Sequence, residues 1–359
     1  MLSNFANNAA KIKIKRFLCN NNLNKNIQTF RISLFISFYF TQLTLSLHCF
    51  LKIHTLVIHF YLILICILAG VFISRMRLLP ADAYKSVNAW VINVALPALS
   101  LRYIPEIVWS NQILLPIIGP ILIWFGAWIF VRIYDQKRHL TVGSRAALLV
   151  TCGLGNTSFL GLPLVAAYFG ESEICHAVVF DQISFILFST LGVITVLKAS
   201  SKKSETFNFK SILKKVFCFP PFIACVVALI FSRFLDFSPI NPLMDKIVAT
   251  MSPMALFSIG LQLKFSAIKQ EWKLVSAGLF YKLLMAPGLV LLLALLLDST
   301  GNPAKISIFE AGMSAHITVS LLASHHGLNP RYCSLIVATG IVVVFFTVTG
   351  WYFLSGYFF

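Results

Sequence analysis

Residues 152–170 read CGLGNTSFLGLPLVAAYFG, an apolar stretch whose middle is interrupted by polar residues and glycines. It holds four glycines, one proline (Pro163) and the cluster Asn156-Thr157-Ser158. Lipid offers no hydrogen-bond partner to a free backbone N–H or C=O group, so irregular backbone at membrane depth must face protein or a water-filled cavity. The stretch therefore predicts a broken helix with a polar environment at its centre.

The composition of the whole chain is that of a helical membrane protein. Of its 359 residues, 58% are hydrophobic and 11% are charged, and the mean hydropathy is +0.85. Apolar runs of about 18–22 residues recur between charged loops, which is typical of transmembrane helices. The short alternating segments of a β-barrel are absent from the sequence. We therefore expect an all-α polytopic membrane protein.

The apolar runs predict ten transmembrane helices. They cover residues 56–73, 88–104, 113–133, 145–169, 176–197, 217–235, 241–260, 274–297, 303–325 and 332–357. Counted with flanking residues, the loops after odd-numbered spans carry 17 Lys and Arg, and those after even-numbered spans carry 4. The positive-inside rule then places the odd-numbered loops in the cytoplasm and the C-terminus outside. The short loops make a bacterial inner membrane the default location.

Charge and motif content exclude several other classes of protein. The net charge is +17, but the basic residues lie in loops between spans, so we expect no nucleic-acid partner. The eight cysteines are scattered and form no CxxC pair, and we read them as small apolar filler. The sequence has no nucleotide fingerprint, no HExxH and no GxSxG. We expect no metal, no cofactor and no enzyme activity.

The second half of the chain resembles the first half at a shift near 157 residues. Pro97 pairs with Pro253 at a shift of 156, and both Gly155 with Gly312 and Gly170 with Gly327 at 157. Each repeat would hold five spans, and an odd number of spans turns the second copy upside down. Inverted five-span repeats are typical of secondary transporters. The predicted domains are inverted repeat 1 at 56–197, a basic cytoplasmic linker at 198–216 and inverted repeat 2 at 217–357.

The first 55 residues form an uncertain N-terminal extension. They begin Asn- and Lys-rich and continue into the apolar run 32–51. The segment could add a span, act as a signal peptide, or be translated upstream sequence from a wrongly chosen start. These alternatives stay open, and we base no functional argument on the segment.

The repeat predicts a second broken helix in span 9. The break in span 4 falls at Gly155, where glycine permits a sharp backbone and the Asn-Thr-Ser side chains can cap freed groups. Two such helices would cross near the midplane and aim their half-helix N-termini at one place, which favours an anion. The alternative is a packing motif kinked at Pro163. The candidate substrate-binding residues are Asn156, Thr157, Ser158, Ser314, His316, Thr318 and, in span 2, Asn93; the candidate break or kink residues are Gly155, Pro163, Gly312, Pro97 and Pro253.

Some ionisable residues lie well inside predicted spans, where charge is costly and often functional. Asp181, Lys282 and Glu310 are candidate coupling or charge-neutralising groups, for example as a buried Lys–Asp or Lys–Glu pair. The alternative is a static ion pair or snorkelling to the interface. His316 is a proton relay, a substrate hydrogen-bond donor or a satisfied core histidine. Asn93 either faces the substrate or holds helices together.

Three motifs resemble the auxin efflux carrier family over about residues 56–357. They are GNTSFLGLPLVAAYFG at 155–170, NVALPALSLRYI at 93–104 and SLLASHHGL at 320–328. The resemblance implies ten helices with broken helices 4 and 9 crossing, a scaffold of spans 1, 2, 6 and 7 that often dimerises, and a mobile part of spans 3–5 and 8–10. It also implies small organic anions as substrates, auxin in plants and dicarboxylates such as malonate or malate in bacteria. Many members carry a proline at the span 9 crossing, where this chain reads MSAHITVS at 313–320, so neither substrate nor coupling carries over.

The expected function is secondary transport of small organic anions, with membrane lipid and a second copy of the chain as further partners. One alternative is a cation/proton antiporter-like exchanger, which would need paired acidic residues at the crossing. Another is a non-transporting membrane sensor on a transporter fold.

Overall fold

The computed structural model of the protein describes residues 61–107, 111–200, 217–232, 234–263 and 271–359. The predicted extension 1–55 and most of the linker 198–216 lie outside these residues. Within them, all regular structure is helical. The helices are α1 Tyr61–Arg75, α2 Ala83–Glu106, α3 Asn111–Arg138, α4 Val142–Gly153, α5 Thr157–Phe169, α6 Glu171–Ala199, α7 Pro220–Phe231, α8 Asn241–Val248, α9 Met251–Gln262, α10 Trp272–Leu296, α11 Gly301–Ala311, α12 Ile317–His325 and α13 Pro330–Phe358.

Five of these helices are long and apolar enough to cross a membrane by length and composition. They are α2, α3, α6, α10 and α13, with 24 to 29 residues each. Large apolar side chains are exposed along them, such as Phe125 and Trp128 on α3 and Phe346 on α13. An apolar surface of this kind suits lipid and not water. The all-helical membrane class is confirmed, while ten helices in two inverted repeats stay a prediction.

The helices fall into two sets by their packing. The first set contains α1, α2, α7, α8 and α9, in which α2 contacts α7, α8 and α9, and α1 touches α9 at Gly70 and Gly260. The second set contains α3 to α6 and α10 to α13, with α3 packed on α4, α6, α10 and α11. The two sets meet where α9 contacts the first turn of α5 and where α2 contacts α6. This grouping matches the scaffold and mobile part that the resemblance implies, and the motion itself stays a prediction.

Two of the prolines inside helices follow wide π-helical turns. Pro97 and Pro163 follow the π turns Val91–Ala95 and Thr157–Gly161. A proline inside a helix has no N–H to donate and its ring collides with a preceding carbonyl, and the extra residue of a π turn relieves that collision. Pro253 is different, because it lies in the first turn of α9, where a helix tolerates proline. The two candidate kink residues Pro97 and Pro253 therefore occupy different positions in their helices.

Turns recur along the chain at the spacing of the sequence repeat. The turn after α3 contains His139 with φ 49°, and the turn after α10 contains Asp298 with φ 50°. Gly170 ends α5 with φ 97°, and Gly327 follows α12 with φ 75°. Only glycine adopts positive φ freely, and each of the two half-helices ends near such a glycine. These matches support an internal repeat in structure as well as in sequence.

Candidate functional site

Both predicted helix breaks are present. The first separates α4, which ends at Gly153, from α5, which begins at Thr157. The second separates α11, which ends at Ala311, from α12, which begins at Ile317. Both lie in the interior of the second set of helices, and residues 153–157 and 311–315 are buried.

The two breaks lie against each other as a short antiparallel pair. The residues that face one another are Leu154, Gly155 and Asn156 on one side and His316, Ala315 and Ser314 on the other. The Asn156 N–H donates to the Ser314 carbonyl over 2.8 Å, and the His316 N–H donates to the Leu154 carbonyl over 3.1 Å. Each break thus satisfies backbone groups that the other has freed, which buried backbone requires. We call residues 154–156 and 312–316 the crossing.

Gly155 in the crossing and the neighbouring Gly153 leave room for large side chains of other helices. Neither Gly155 nor Gly312 has a positive φ, so neither uses the backbone region that only glycine adopts freely. A Cβ at Gly155 would lie 2.9 Å from Lys282 Nζ. A Cβ at Gly153 would lie 2.5 Å from the Trp124 ring. The sequence hides this reason because the large partners come from distant helices.

Asp181 holds the first turn of α5. Its side chain is 4% exposed, and its Oδ1 accepts hydrogen bonds from Thr157 Oγ1 and Ser158 Oγ, both at 2.5 Å. A carboxylate with two hydroxyl donors is well satisfied in a buried site. Thr157 and Ser158 were both predicted to bind substrate. In the structure their hydroxyl groups instead donate hydrogen bonds to Asp181 of α6.

Lys282 caps the end of α11. It is 2% exposed, and its Nζ donates to the Ala311 carbonyl over 3.1 Å. That carbonyl is one of the groups that the helix end leaves without an intrahelical partner. Among the described residues no ion pair within 4.0 Å joins Lys282 to Asp181 or Glu310, so the predicted charge pair is not formed. The lysine supplies positive charge next to Gly155 at the crossing.

Glu310 is fully buried one residue before the end of α11. Neither carboxylate oxygen has a hydrogen-bond partner among the described residues. The carboxyl group lies against Gly161, where a Cβ would collide with it. Sequence reasoning found Glu310 but not Gly161, although a glycine six residues after Gly155 was a visible signal.

Two further polar side chains at the crossing are buried without partners. Asn156 is 1% exposed and Ser314 is 0% exposed. Within the described part of the chain, Asn156 Nδ2 and Ser314 Oγ make no hydrogen bond. Buried polar groups are almost always satisfied, so an exception calls for an explanation. The structure thus brings together two predicted substrate-binding residues with free hydrogen-bonding capacity.

His316 begins α12 as its N-cap. Its Nδ1 accepts a hydrogen bond from the Thr318 N–H over 3.2 Å, and its ring stacks on Phe188 of α6 with centroids 5.4 Å apart. The His316 side chain is half-buried and Thr318 is exposed. The acceptor role of Nδ1 fixes the ring, leaving Nε2 as the atom that could meet a ligand. Phe188 was missed, because one phenylalanine among 33 carries no signal.

Asn93 is not brought to the crossing. Its side chain is exposed, and Nδ2 donates to the Ala89 carbonyl over 2.7 Å within α2. A helix-local hydrogen bond satisfies the amide without any neighbouring helix. The expectation of substrate contact at Asn93 is therefore not supported by its position.

Two small cavities lie between the two sets of helices. One measures about 180 Å³ and is lined by α5 residues that include Pro163, together with Tyr103 and Met251. The other measures about 190 Å³ and is lined by α12 residues that include Ser320, together with Gln262 of α9. Each cavity thus follows the second half of one broken helix. No cluster of three or more His, Cys, Asp or Glu that could hold a metal ion occurs in the described ranges.

Comparison with known proteins gives the family of the chain. A family model described as "Membrane transport protein" matches residues 55–352, which are 298 of the 359 residues. The chain belongs to the auxin efflux carrier family. The resemblance seen in the three sequence motifs is thereby confirmed.

The relatives of this auxin efflux carrier family member include three named transporters. An "Uncharacterized transporter" of Methanothermobacter thermautotrophicus is 24% identical over 271 residues, 74% of this chain and 87% of the relative. An "Uncharacterized transporter" of Methanocaldococcus jannaschii is 25% identical over 308 residues, covering 82% and 97%. A Rhizobium meliloti protein named "Putative malonate transporter" is 22% identical over 294 residues, covering 79% and 91%. The chain is an integral membrane transport protein, and its family points to transport and not to enzyme catalysis.

Proposed function

We propose that this protein is a secondary transporter that moves small organic anions, carboxylates in particular, by alternating access at the crossing. The observation that carries the proposal is the pair of buried groups Asn156 Nδ2 and Ser314 Oγ, which lack partners among the described residues. An amide and a hydroxyl can both donate to a carboxylate oxygen. A ligand bound there would satisfy groups that are otherwise costly to bury.

The charge distribution at the crossing favours an anion. Helices α5 and α12 both begin at the crossing, and a helix N-terminus carries partial positive charge. Lys282 Nζ adds a full positive charge beside Gly155. The name of the Rhizobium meliloti relative, which specifies malonate, supports a carboxylate as the substrate class.

Alternating access follows from two-fold repetition around this site. The matching turns and the two cavities along α5 and α12 support inverted repeats that give one half-path to each side of the membrane. In this proposal the second set of helices moves against the first, which holds still and pairs with a second copy. The odd-numbered loops face the cytoplasm of a bacterial inner membrane, and the C-terminus faces outward.

A cation/proton exchanger is the second candidate function. The observation that favours it is that two buried carboxylates, Asp181 and Glu310, flank the first turn of α5. In such an exchanger these carboxylates would bind the cation and no carboxylate substrate would be required. A sensor on the same fold would bind a carboxylate without moving it.

Counterflow in proteoliposomes tests the proposal. Vesicles loaded with unlabelled malonate are expected to take up radiolabelled malonate, and a panel of mono- and dicarboxylates would define the substrate range. Asn156→Ala and Ser314→Ala should each lower kcat/KM about 10- to 100-fold, because a hydrogen bond to a charged group contributes roughly 1.5–3 kcal/mol. Kinetics would be measured at several substrate concentrations so that loss of binding appears as a raised KM.

Ser307→Ala is the matched control. Ser307 is also 0% exposed and lies on α11, but its hydroxyl donates to the Pro303 carbonyl within that helix. Its replacement should leave malonate counterflow close to the unmodified rate. Folded protein that exchanges no carboxylate but moves sodium or potassium against protons would support the exchanger, and binding without flux would support the sensor.

A further inference from the structure

Asp181, Lys282 and Glu310 are the buried acidic and basic residues of the described part of the chain, and Glu310 differs from the other two in having no polar partner. Asp181 accepts from two hydroxyl groups, and Lys282 donates to the Ala311 carbonyl. Glu310 is 0% exposed, and neither of its oxygens has a hydrogen-bond partner in the described part of the protein. Two of the three groups therefore stabilise helix ends in the resting structure, and the third has no structural bond to make.

A bare carboxylate in such a place would be very costly. Burial of an unpaired charge costs far more than burial of a neutral carboxyl group, so the group takes up a proton instead. The charged residues that face Glu310 are Asp181 on α6, which repels a negative charge, and Lys282 on α10, which attracts one. Within the described residues, the other helices packed on α11, namely α3, α5 and α13, add no charged group that acts on it. Burial without a partner therefore favours the neutral, protonated form of Glu310.

We propose that Glu310 is the proton-carrying residue of the transport cycle, whereas Asp181 and Lys282 are positioning residues. This inference rests on the proposed function. Glu310 releases one proton and becomes a carboxylate when it gains water or a closer Lys282, and it takes one proton up when it is buried again. One proton thus crosses the membrane with each cycle of carboxylate transport.

The position of Glu310 links its proton to the crossing. It precedes Ala311, whose carbonyl accepts a hydrogen bond from Lys282. It also packs on Gly161 in the first turn of α5. A shift of α11 against α5, such as a change of access would bring, would uncover the carboxyl group. A substrate carboxylate next to Lys282 would compete with Glu310 for the same positive charge, so substrate arrival and protonation of Glu310 would favour each other.

The accumulation ratio of substrate separates this role from a structural one. Malonate and one proton together carry net negative charge, so the membrane potential is held at zero with potassium and valinomycin. Under that condition an inward gradient of one pH unit sustains about tenfold accumulation for transport with one proton, because tenfold in concentration and one pH unit are each worth about 1.4 kcal/mol. A variant that is merely slower still reaches the same ratio. We expect about tenfold accumulation for the unmodified protein and none for Glu310→Gln, which should nevertheless retain malonate counterflow. Protein-free vesicles would correct for passive entry of the acid.

Asp181→Asn is the comparison variant, since it also replaces a buried acid by an amide. It should slow transport but preserve the tenfold ratio. Tenfold accumulation in Glu310→Gln would overturn the inference. An accumulation ratio that depends on sodium in the unmodified protein would also overturn it. In either case, carboxylate counterflow would leave the proposed function standing. Absence of counterflow in the unmodified protein would instead contradict the proposed function.

Glu310→Asp covers the case in which Glu310→Gln fails to fold. It keeps the acid with a shorter side chain and should retain the tenfold ratio, with the pH dependence of its initial rate displaced from that of the unmodified protein. A displaced profile reports a titrating group at this position, which a packing role would not give. An unchanged profile together with an unchanged ratio would overturn the inference.

Discussion

At the scale of single residues, the buried carboxylate of Asp181 fixes the first turn of α5. Its two donors are Thr157 and Ser158, the residues that follow the first break. Thr157→Val keeps the shape of the side chain and removes one donor. We expect it to lower the free energy of unfolding by about 1.5–3 kcal/mol, since a hydrogen bond to a charged group is lost. Titration of the purified protein with SDS in mixed micelles would measure the change.

Thr195→Val is the control for that prediction. Thr195 lies on α6, and its hydroxyl donates only to the Leu191 carbonyl of the same helix. Its replacement should change the free energy of unfolding by no more than about 0.5 kcal/mol. Equal effects of the two substitutions would show that the Asp181 contact contributes nothing special to stability.

Much of the candidate site could be predicted at this scale, although not the reasons behind it. Asn156, Ser314 and His316 were predicted from polar residues in apolar spans, and the structure brings all three to the crossing. The role of Gly155 and the partner of Asp181 could not be predicted, because a contact between distant helices leaves no local pattern. Asn93 was indistinguishable from the others in sequence, but its amide is satisfied within α2.

At the scale of helices, α1 and α9 touch backbone to backbone. A Cβ at Gly70 would lie 2.9 Å from the Cα of Gly260, and the reverse distance is also 2.9 Å. Small residues permit such close approach between membrane helices. Gly70→Ala should push α1 away from α9 and lower the free energy of unfolding by about 1–3 kcal/mol, the usual cost of overpacking. The same SDS titration would measure it.

Gly350→Ala is the matched substitution in an open position. Gly350 lies within α13, and a Cβ there would meet no atom within 4 Å. Since alanine favours a helix by up to about 1 kcal/mol over glycine, this change should be neutral or stabilising. If Gly70→Ala and Gly350→Ala had equal free energies of unfolding, this result would contradict the close contact of α1 and α9.

Helix bounds were more predictable than helix interruptions. The predicted spans 145–169 and 303–325 agree with the two broken helices to within a few residues, because apolar runs between polar loops mark them clearly. Span 241–260 was predicted as one helix, yet it divides into α8 and α9. Pro253, in the first turn of α9, marked the restart in the sequence.

At the scale of the whole molecule, the distribution of basic residues and the internal repeat together predict the membrane topology. The turn after α3 and the turn after α10 are equivalent in the repeat, with His139 and Asp298 at nearly the same φ. If the repeats are inverted, these equivalent turns lie on opposite sides of the membrane. The excess of Lys and Arg then places the turn after α3 in the cytoplasm.

Cysteine labelling at these two turns tests that arrangement. Arg138 ends α3 and Asn302 lies in the first turn of α11, and both are exposed. A membrane-impermeant maleimide added to intact cells should label Asn302→Cys and spare Arg138→Cys until the cells are permeabilised, with the unmodified protein as background for its own cysteines. Labelling of both from one side would contradict inverted repeats. Labelling of Arg138→Cys alone would be consistent with inverted repeats but would reverse the predicted orientation of the protein in the membrane. The two predictions are separate because inversion depends on the odd number of spans per repeat, whereas orientation depends only on the basic loops.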